Sequence, residues 1–145
     1  LYSVVNINKK NKKIKNMSFN ELEWGYIKMF KEINADFVIR FTPKFRMCDS
    51  VVEGRIMKMS ICLLNKGYVC RGFIVKDYGK ISGLHFHSTI RLDNGNIEMF
   101  KDDFIELLGR FGFNGFIENY KDGGYEEYMV TKLKYNENWV GLWEN

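Results

Sequence analysis

Residues 68–92 read YVCRGFIVKDYGKISGLHFHSTIRL. Both ends are dense in β-branched and aromatic side chains, and Tyr78-Gly79-Lys80-Ile81-Ser82-Gly83 between them has the glycines of a hairpin loop. The stretch therefore predicts two antiparallel strands, Tyr68–Asp77 and Gly83–Leu92. Alternate residues of a strand share a face, so His85 and His87, the chain's only histidines, should point the same way. Two adjacent imidazoles are half of a divalent-metal site. In antiparallel register Asp77 falls beside His85, where cross-strand Cβ atoms lie about 5 Å apart. A carboxylate there would complete a three-ligand set. Duller roles stay open at this point: two histidines that merely pack on a half-buried strand, and an aspartate that only opens the turn.

Outward from the hairpin, the remaining elements alternate. Ser18, with Glu21 three residues on, has the form of a capping box and predicts a helix over Phe19–Ile33 with Leu22, Tyr26, Met29 and Ile33 inward. Asp36–Thr42 alternates as a core strand closed by Pro43. A second helix starts at Asp49 or Ser50, turns Val51, Val52, Ile56, Met59, Ile61, Leu63 and Leu64 inward, and stops at Asn65-Lys66-Gly67. After the Asp93-Asn94-Gly95-Asn96 turn, a third helix is expected near Lys101–Phe111, with Phe104, Ile105, Leu107 and Leu108 inward. A short strand at Phe116–Tyr120, a last helix at Tyr125–Lys134 and an apolar docking tail at Trp139–Trp143 follow. This order predicts an α+β domain whose central, mainly antiparallel sheet of about five strands is flanked by helices.

Composition narrows the class. With 145 residues, 46% hydrophobic and 16% aromatic, the chain can bury one real core, which excludes general disorder. No apolar run approaches the roughly 20 residues of a membrane helix, and no secretory leader is visible. Cys48, Cys62 and Cys70 are odd in number without CxxC spacing, as in reduced thiols of a cytosolic or nuclear protein. Net charge is +4, but residues 1–16 hold Lys9, Lys10, Lys12, Lys13 and Lys15 and no acid, leaving 17 basic against 18 acidic groups elsewhere. We read 1–17 as a flexible basic lead-in, with a short strand at Tyr2–Ile7, and 18–145 as a single domain.

The last helix contains Tyr125-Glu126-Glu127-Tyr128-Met129-Val130-Thr131-Lys132. Spacings of three and four put Tyr125, Tyr128 and Lys132 on one surface. A free phenol is a weak nucleophile at neutral pH, but a nearby cation stabilises the phenolate and polarises the group under attack. Ordinary aromatic packing is the plainer role for such a helix.

A His-hydrophobe-His strand, an acid on the neighbouring strand and a downstream helix with Tyr and Lys resemble the HUH endonucleases. Within them the chain is most similar to the replication initiator (Rep) domains of small single-stranded DNA viruses and rolling-circle plasmids. Three motifs carry the resemblance in order: Phe41-Thr42-Pro43-Lys44; His85-Phe86-His87 with Asp77 eight residues ahead of His85; and Tyr128-Met129-Val130-Thr131-Lys132. It runs from about Asp36 to Lys134, and implies an RRM-like sheet in two or three layers forming one catalytic domain over 18–145.

The resemblance also implies chemistry. His85, His87 and Asp77 would hold Mn²⁺ or Mg²⁺ against a scissile phosphodiester of single-stranded DNA at a replication origin or stem-loop. Tyr128 would attack phosphorus to leave a 5′-phosphotyrosine and a free 3′-hydroxyl, and the reverse step would rejoin strands. Lys132 would place the phosphate or neutralise developing charge, and Tyr125 is a rival or second nucleophile. Arg40, Lys44, Arg46, Lys76 and Lys80 would touch DNA, with Tyr68 or Tyr78 stacking on bases. The site of action would be intracellular, in a host nucleus or cytoplasm, without a membrane, and with a helicase domain fused or associated. Departures are clear: Tyr and Lys stand four apart where many Reps have three, there is no third histidine, and no GxxxxGK[ST] occurs.

Other readings share parts of this pattern. An HUH transposase or other mobile-element nickase would use the same residues. A non-haem Fe(II) oxygenase also uses two His and one carboxylate, although a cupin barrel needs many short strands where this sequence interleaves helices. A DNA-binding module that lost catalysis would have little use for the Tyr and both His.

Overall fold

Strand period produces the two paired strands as read, extended so that Tyr78, Gly79 and Gly83 of the expected loop belong to them; residues 80–82 of that loop lie outside the described residues. In the computed structural model, which describes residues 4–6, 19–79, 83–133 and 139–144, β3 (Val69–Gly79) pairs antiparallel with β4 (Gly83–Asn94), and Asp77 lies opposite His85. Around them stand β1 (Val4–Asn6), α1 (Glu21–Glu32), β2 (Phe37–Pro43), α2 (Asp49–Asn65), α3 (Ile97–Arg110), β5 (Phe113–Asn119), α4 (Tyr125–Lys132) and β6 (Trp139–Glu144). The described strands form one six-stranded sheet in the order β1-β6-β3-β4-β2-β5, with every recorded pairing antiparallel. The α+β class holds, but the strand count exceeds the expected five. The tail docks by adding β6 beside β3, and Trp143 is fully buried with its indole N–H donating to Ser88 Oγ at 2.8 Å. Val4–Asn6, within the expected lead-in, pairs with β6; the rest of 1–17 lies outside the described residues.

Helices pack on both faces of the sheet, so the domain has three layers. On one side Phe37, Ile39, Phe41, Ile74, Phe86 and Ile90 meet Val52, Ile56 and Met59 of α2 and Phe100, Phe104 and Leu107 of α3. Phe41 stacks on Phe86 at 4.9 Å and Phe37 on Phe100 at 5.1 Å. On the other side Phe73 and Val75 pack with Ile27 and Phe30 of α1 and Met129 and Val130 of α4. This second core covers β3 and holds α4 over the sheet face that carries the histidines.

Several helix details differ from expectation. The α1 cap is Asn20 with Glu23: the Asn20 side chain accepts from the Glu23 amide, and the Glu23 carboxylate accepts from the Asn20 amide. The buried stripe is therefore Glu23, Ile27 and Phe30, leaving Leu22 and Met29 exposed. Val51, Ile61, Leu64 and Ile105 are likewise exposed, because apolar residues flank the true stripe on both sides and period alone does not choose between rows. α3 starts at Ile97, four residues early, since Asn96 caps it by accepting from the Met99 amide instead of closing the turn. β5 likewise begins at Phe113, earlier than expected.

Candidate metal and nucleophile site

Register in the hairpin assembles the ligand set. Asp77 Oδ2 lies 2.9 Å from His85 Nε2 and 3.7 Å from His87 Nε2, and one ligand atom of each residue falls within 4.8 Å of the others. Ligand atoms around one divalent cation stand roughly 3 Å or a little more apart, so a single ion could be shared by the three residues. All three residues are buried. The other ring nitrogen of His85, Nδ1, is 3.0 Å from the Gly83 carbonyl oxygen, the kind of backbone contact that fixes a ligand imidazole's tautomer. Most telling is His87 Nε2, a buried ring nitrogen with no hydrogen-bond partner. Natural interiors rarely leave such an atom orphaned, and a cation shared with Asp77 and His85 would satisfy it. The residues present therefore fit a metal ion. Among the described residues no other group of three His, Cys, Asp or Glu converges in this way.

Burial, reinforced by the neighbouring positive groups, lowers the pKa of His87 to about 4. The ring is thus neutral near pH 7, with a lone pair available to a metal. The unfolded chain takes up this proton near the ordinary value of about 6.5, so between there and about 4 the unfolded state binds more protons than the folded one. Metal-free protein should therefore lose on the order of 3 kcal/mol as pH falls through that window. Urea midpoints across the range measure it, and His87→Asn should flatten this part of the slope. An unchanged slope in the variant would refute the assignment.

α4 brings the phenols to the same face. Gly124 precedes it at φ 81°, a left-handed turn that glycine takes without strain. With Met129, Val130 and Leu133 buried against α1 and β3, the other side of the helix turns towards the histidines. The Tyr128 ring meets the His87 ring edge to face at 5.1 Å between centroids, and Tyr128 is 42% exposed, open to an incoming chain. Lys132 Nζ lies 3.3 Å from Asp77 Oδ2 and 4.7 Å from the Tyr128 ring centroid. Burial disfavours the ammonium, but Asp77 and Tyr128 outweigh it and hold the Lys132 pKa above its ordinary value. Tyr125 is different. It is half-buried, its hydroxyl donates to the Ile39 carbonyl at 3.2 Å, and burial pushes its pKa up.

The cations proposed for DNA separate into groups. Arg40 is exposed on β2, opposite His87 in register and on the same face. Lys44 and Arg46 are exposed at the end of β2; Lys44 Nζ is 3.4 Å from the Gly109 carbonyl, and Arg46 lines a groove of about 490 Å³ with Phe45 and Tyr78. Lys76 is not the exposed contact expected. Alternation turns it to the opposite face from Asp77, where it is 2% exposed with Nζ 2.9 Å from Asp49 Oδ2. Lys80 lies outside the described residues. Tyr68 is not a surface stacker either: it is buried, its hydroxyl donates to Asp103 at 2.6 Å, and burial with that contact raises its pKa to about 12. Tyr78 is exposed, on the side away from the histidines.

One residue beside the site escaped sequence reading. Phe116 is 47% exposed on β5, opposite Arg40 in register. The available signal was its alternation with Asn114 and Glu118, which puts an aromatic on an otherwise polar strand face.

No protein-family model matches the sequence, and no curated protein does. Among solved structures, the N-terminal nuclease domain of the minute virus of mice non-structural protein-1 aligns with a TM-score of 0.43 and 10% identity, covering 86% of this chain and 73% of that one. That domain is described by a unique Zn²⁺ coordination in its active-site pocket and a novel mode of DNA recognition at the origin of replication. None of the described helices is long and apolar enough to cross a membrane.

Proposed function

We propose that residues 18–145 form an HUH-type catalytic domain of the Rep kind, which nicks and rejoins single-stranded DNA through Tyr128 with Mn²⁺ or Mg²⁺ held by Asp77, His85 and His87. The observation that carries this reading is convergence. A solvent-open phenol stands against one imidazole of the ligand set, and Lys132 bridges the space between that phenol and the set's carboxylate.

The ion, when bound, supplies Lewis-acid polarisation of the scissile phosphate. The chain's own residues do the rest. Tyr128 gives up its hydroxyl proton to solvent and presents its oxygen to phosphorus; the new bond is Tyr128 O–P, the broken bond is P–O3′, and the departing 3′-oxygen takes a proton back from solvent to become a hydroxyl. Lys132, charged and beside Tyr128, stabilises the phenolate and the extra negative charge on the phosphoryl oxygens. The product keeps a phosphodiester-like link on Tyr128, so attack by a 3′-hydroxyl restores the strand without a nucleotide cofactor. Tyr125, with its hydroxyl engaged by Ile39, serves as packing and not as the nucleophile. Arg40, Lys44 and Arg46 contact the DNA backbone. The reaction belongs inside the cell, at an origin or stem-loop, with helicase activity supplied by a fused or separate domain; a transposase or other mobile-element nickase would use the same chemistry.

The test is incubation with labelled single-stranded oligonucleotides and Mn²⁺, followed by denaturing electrophoresis. A metal-dependent protein–DNA band resistant to SDS is expected. Fe(II)-dependent oxygen uptake with no such band would instead establish the oxygenase reading, which uses the same ligands but gives Tyr128 and Lys132 no task.

A further inference from the structure

Among the described residues, the helices of the second core cover β3 and reach β2 through Tyr125, whose hydroxyl meets the Ile39 carbonyl, while Arg40 and the β5 residues on the histidine side stay exposed. Along this open strip Val38 and Thr42 are half-buried, while Arg40, Asn114, Phe116 and Glu118 are exposed. Register lines up Val75, His87, Arg40 and Phe116 across four strands, with Thr42 paired to Asn114 in a neighbouring row. At about 4.8 Å per strand, Phe116 stands roughly 10 Å from the His87 row. Two clefts run into the strip. One of about 320 Å³ is lined by His85, Thr42, Arg40, Asn114 and Phe116; another of about 470 Å³ reaches Tyr128 past Val38 and Glu118.

Resting on the nicking reading above, we infer that this strip binds the nucleotide next to the scissile phosphate, with its base stacked on Phe116. An exposed phenylalanine on a sheet face offers a flat apolar surface to an unpaired base, and such stacking tolerates any base. Arg40, between Phe116 and His87, is placed to take the adjoining phosphate. Asn114, two residues from Phe116 on the same face, offers an amide that can both donate to and accept from a base edge. A single strand is the occupant that fits, because its bases are free to lie flat and because the strip is continuous with both the ligand set and the nucleophile. Stacked bases of a duplex present no free face to Phe116.

Fluorescence anisotropy with a mixed-sequence single-stranded oligonucleotide tests this, using the whole chain as wild type, Phe116→Ala and Phe116→Trp. Phe116→Ala should weaken binding by about 5- to 150-fold, the loss of one stacked base, and Phe116→Trp should restore affinity to near wild type. Circular dichroism checks that this surface variant stays folded. Equal affinity in wild type and Phe116→Ala, or a wild type that prefers duplex, would overturn the inference. The same preparations are run in the Mn²⁺ adduct assay. An adduct with no Phe116 effect on binding sinks the platform and leaves the nicking reading standing. Phe116-dependent binding of single strands with no adduct sinks the nicking reading and leaves the platform.

Discussion

Tyr128→Phe should eliminate the covalent protein–DNA band, lowering its rate of formation by at least about 10³-fold, because removing a covalent nucleophile leaves no alternative path through the same linkage. Tyr125→Phe should stay within about tenfold of wild type, since the oxygen it deletes donates to the Ile39 carbonyl and takes no part in attack. The pair is diagnostic because the two rings lie only 6.3 Å apart between centroids, and both belong to α4. A change in fold or DNA binding would affect both variants, whereas a nucleophile is lost in one alone. Quantitative gels over a time course with saturating oligonucleotide and Mn²⁺ measure both rates. The reverse pattern would move the chemistry to Tyr125, and equal loss would indicate that the helix merely needs both rings for packing.

His87→Ala should cost nearly as much. It removes the orphaned ring nitrogen and leaves Asp77 and His85 as an incomplete pair. Lewis-acid stabilisation contributes several kcal/mol, and each 1.36 kcal/mol is tenfold, so a loss of roughly 10²- to 10⁴-fold is expected. Chelation of the wild type with EDTA should give the same loss, and added Mn²⁺ should reverse it in wild type but not in His87→Ala. Calorimetric titration with Mn²⁺ supplies a readout apart from turnover: a single site in wild type and weak or absent binding in the variant. Full rate in EDTA would remove the metal from the account. Because His87 is neutral near pH 7, metal uptake there should release no proton from this ring.

Much of this arrangement was legible from short-range rules. A strand's two-residue period put His85 and His87 together, and the position of the loop put Asp77 opposite His85. The four-residue spacing of Tyr128 and Lys132 gave their shared surface on α4. Where sequence reading failed, the missing information was which face each element covers. Lys76 is next to Asp77, and parity alone sends it to the other side of the sheet, but only the packing of α2 over that side makes it a buried partner of Asp49. Leu22 and Met29 have the right period and the wrong phase, because the Asn20–Glu23 cap and the docking of Ile27 and Phe30 on Phe73 decide the rotation of α1. The place of β6 beside β3 depends on a contact across more than sixty residues, which no local pattern encodes. Phe116 escaped for the same reason: among the described residues no helix packs over it, and only the tertiary arrangement leaves it exposed.

The central claim is that a phosphate held at the Asp77–His85–His87 set lies within reach of the Tyr128 oxygen. Mass spectrometry of the Mn²⁺-dependent adduct, after exhaustive nuclease and protease digestion, measures this at one atom. The account predicts a nucleotide joined through its 5′-phosphate to Tyr128 in the peptide containing Tyr125–Lys132. A nucleotide on any other side chain, or one joined through a 3′-phosphate, would contradict it.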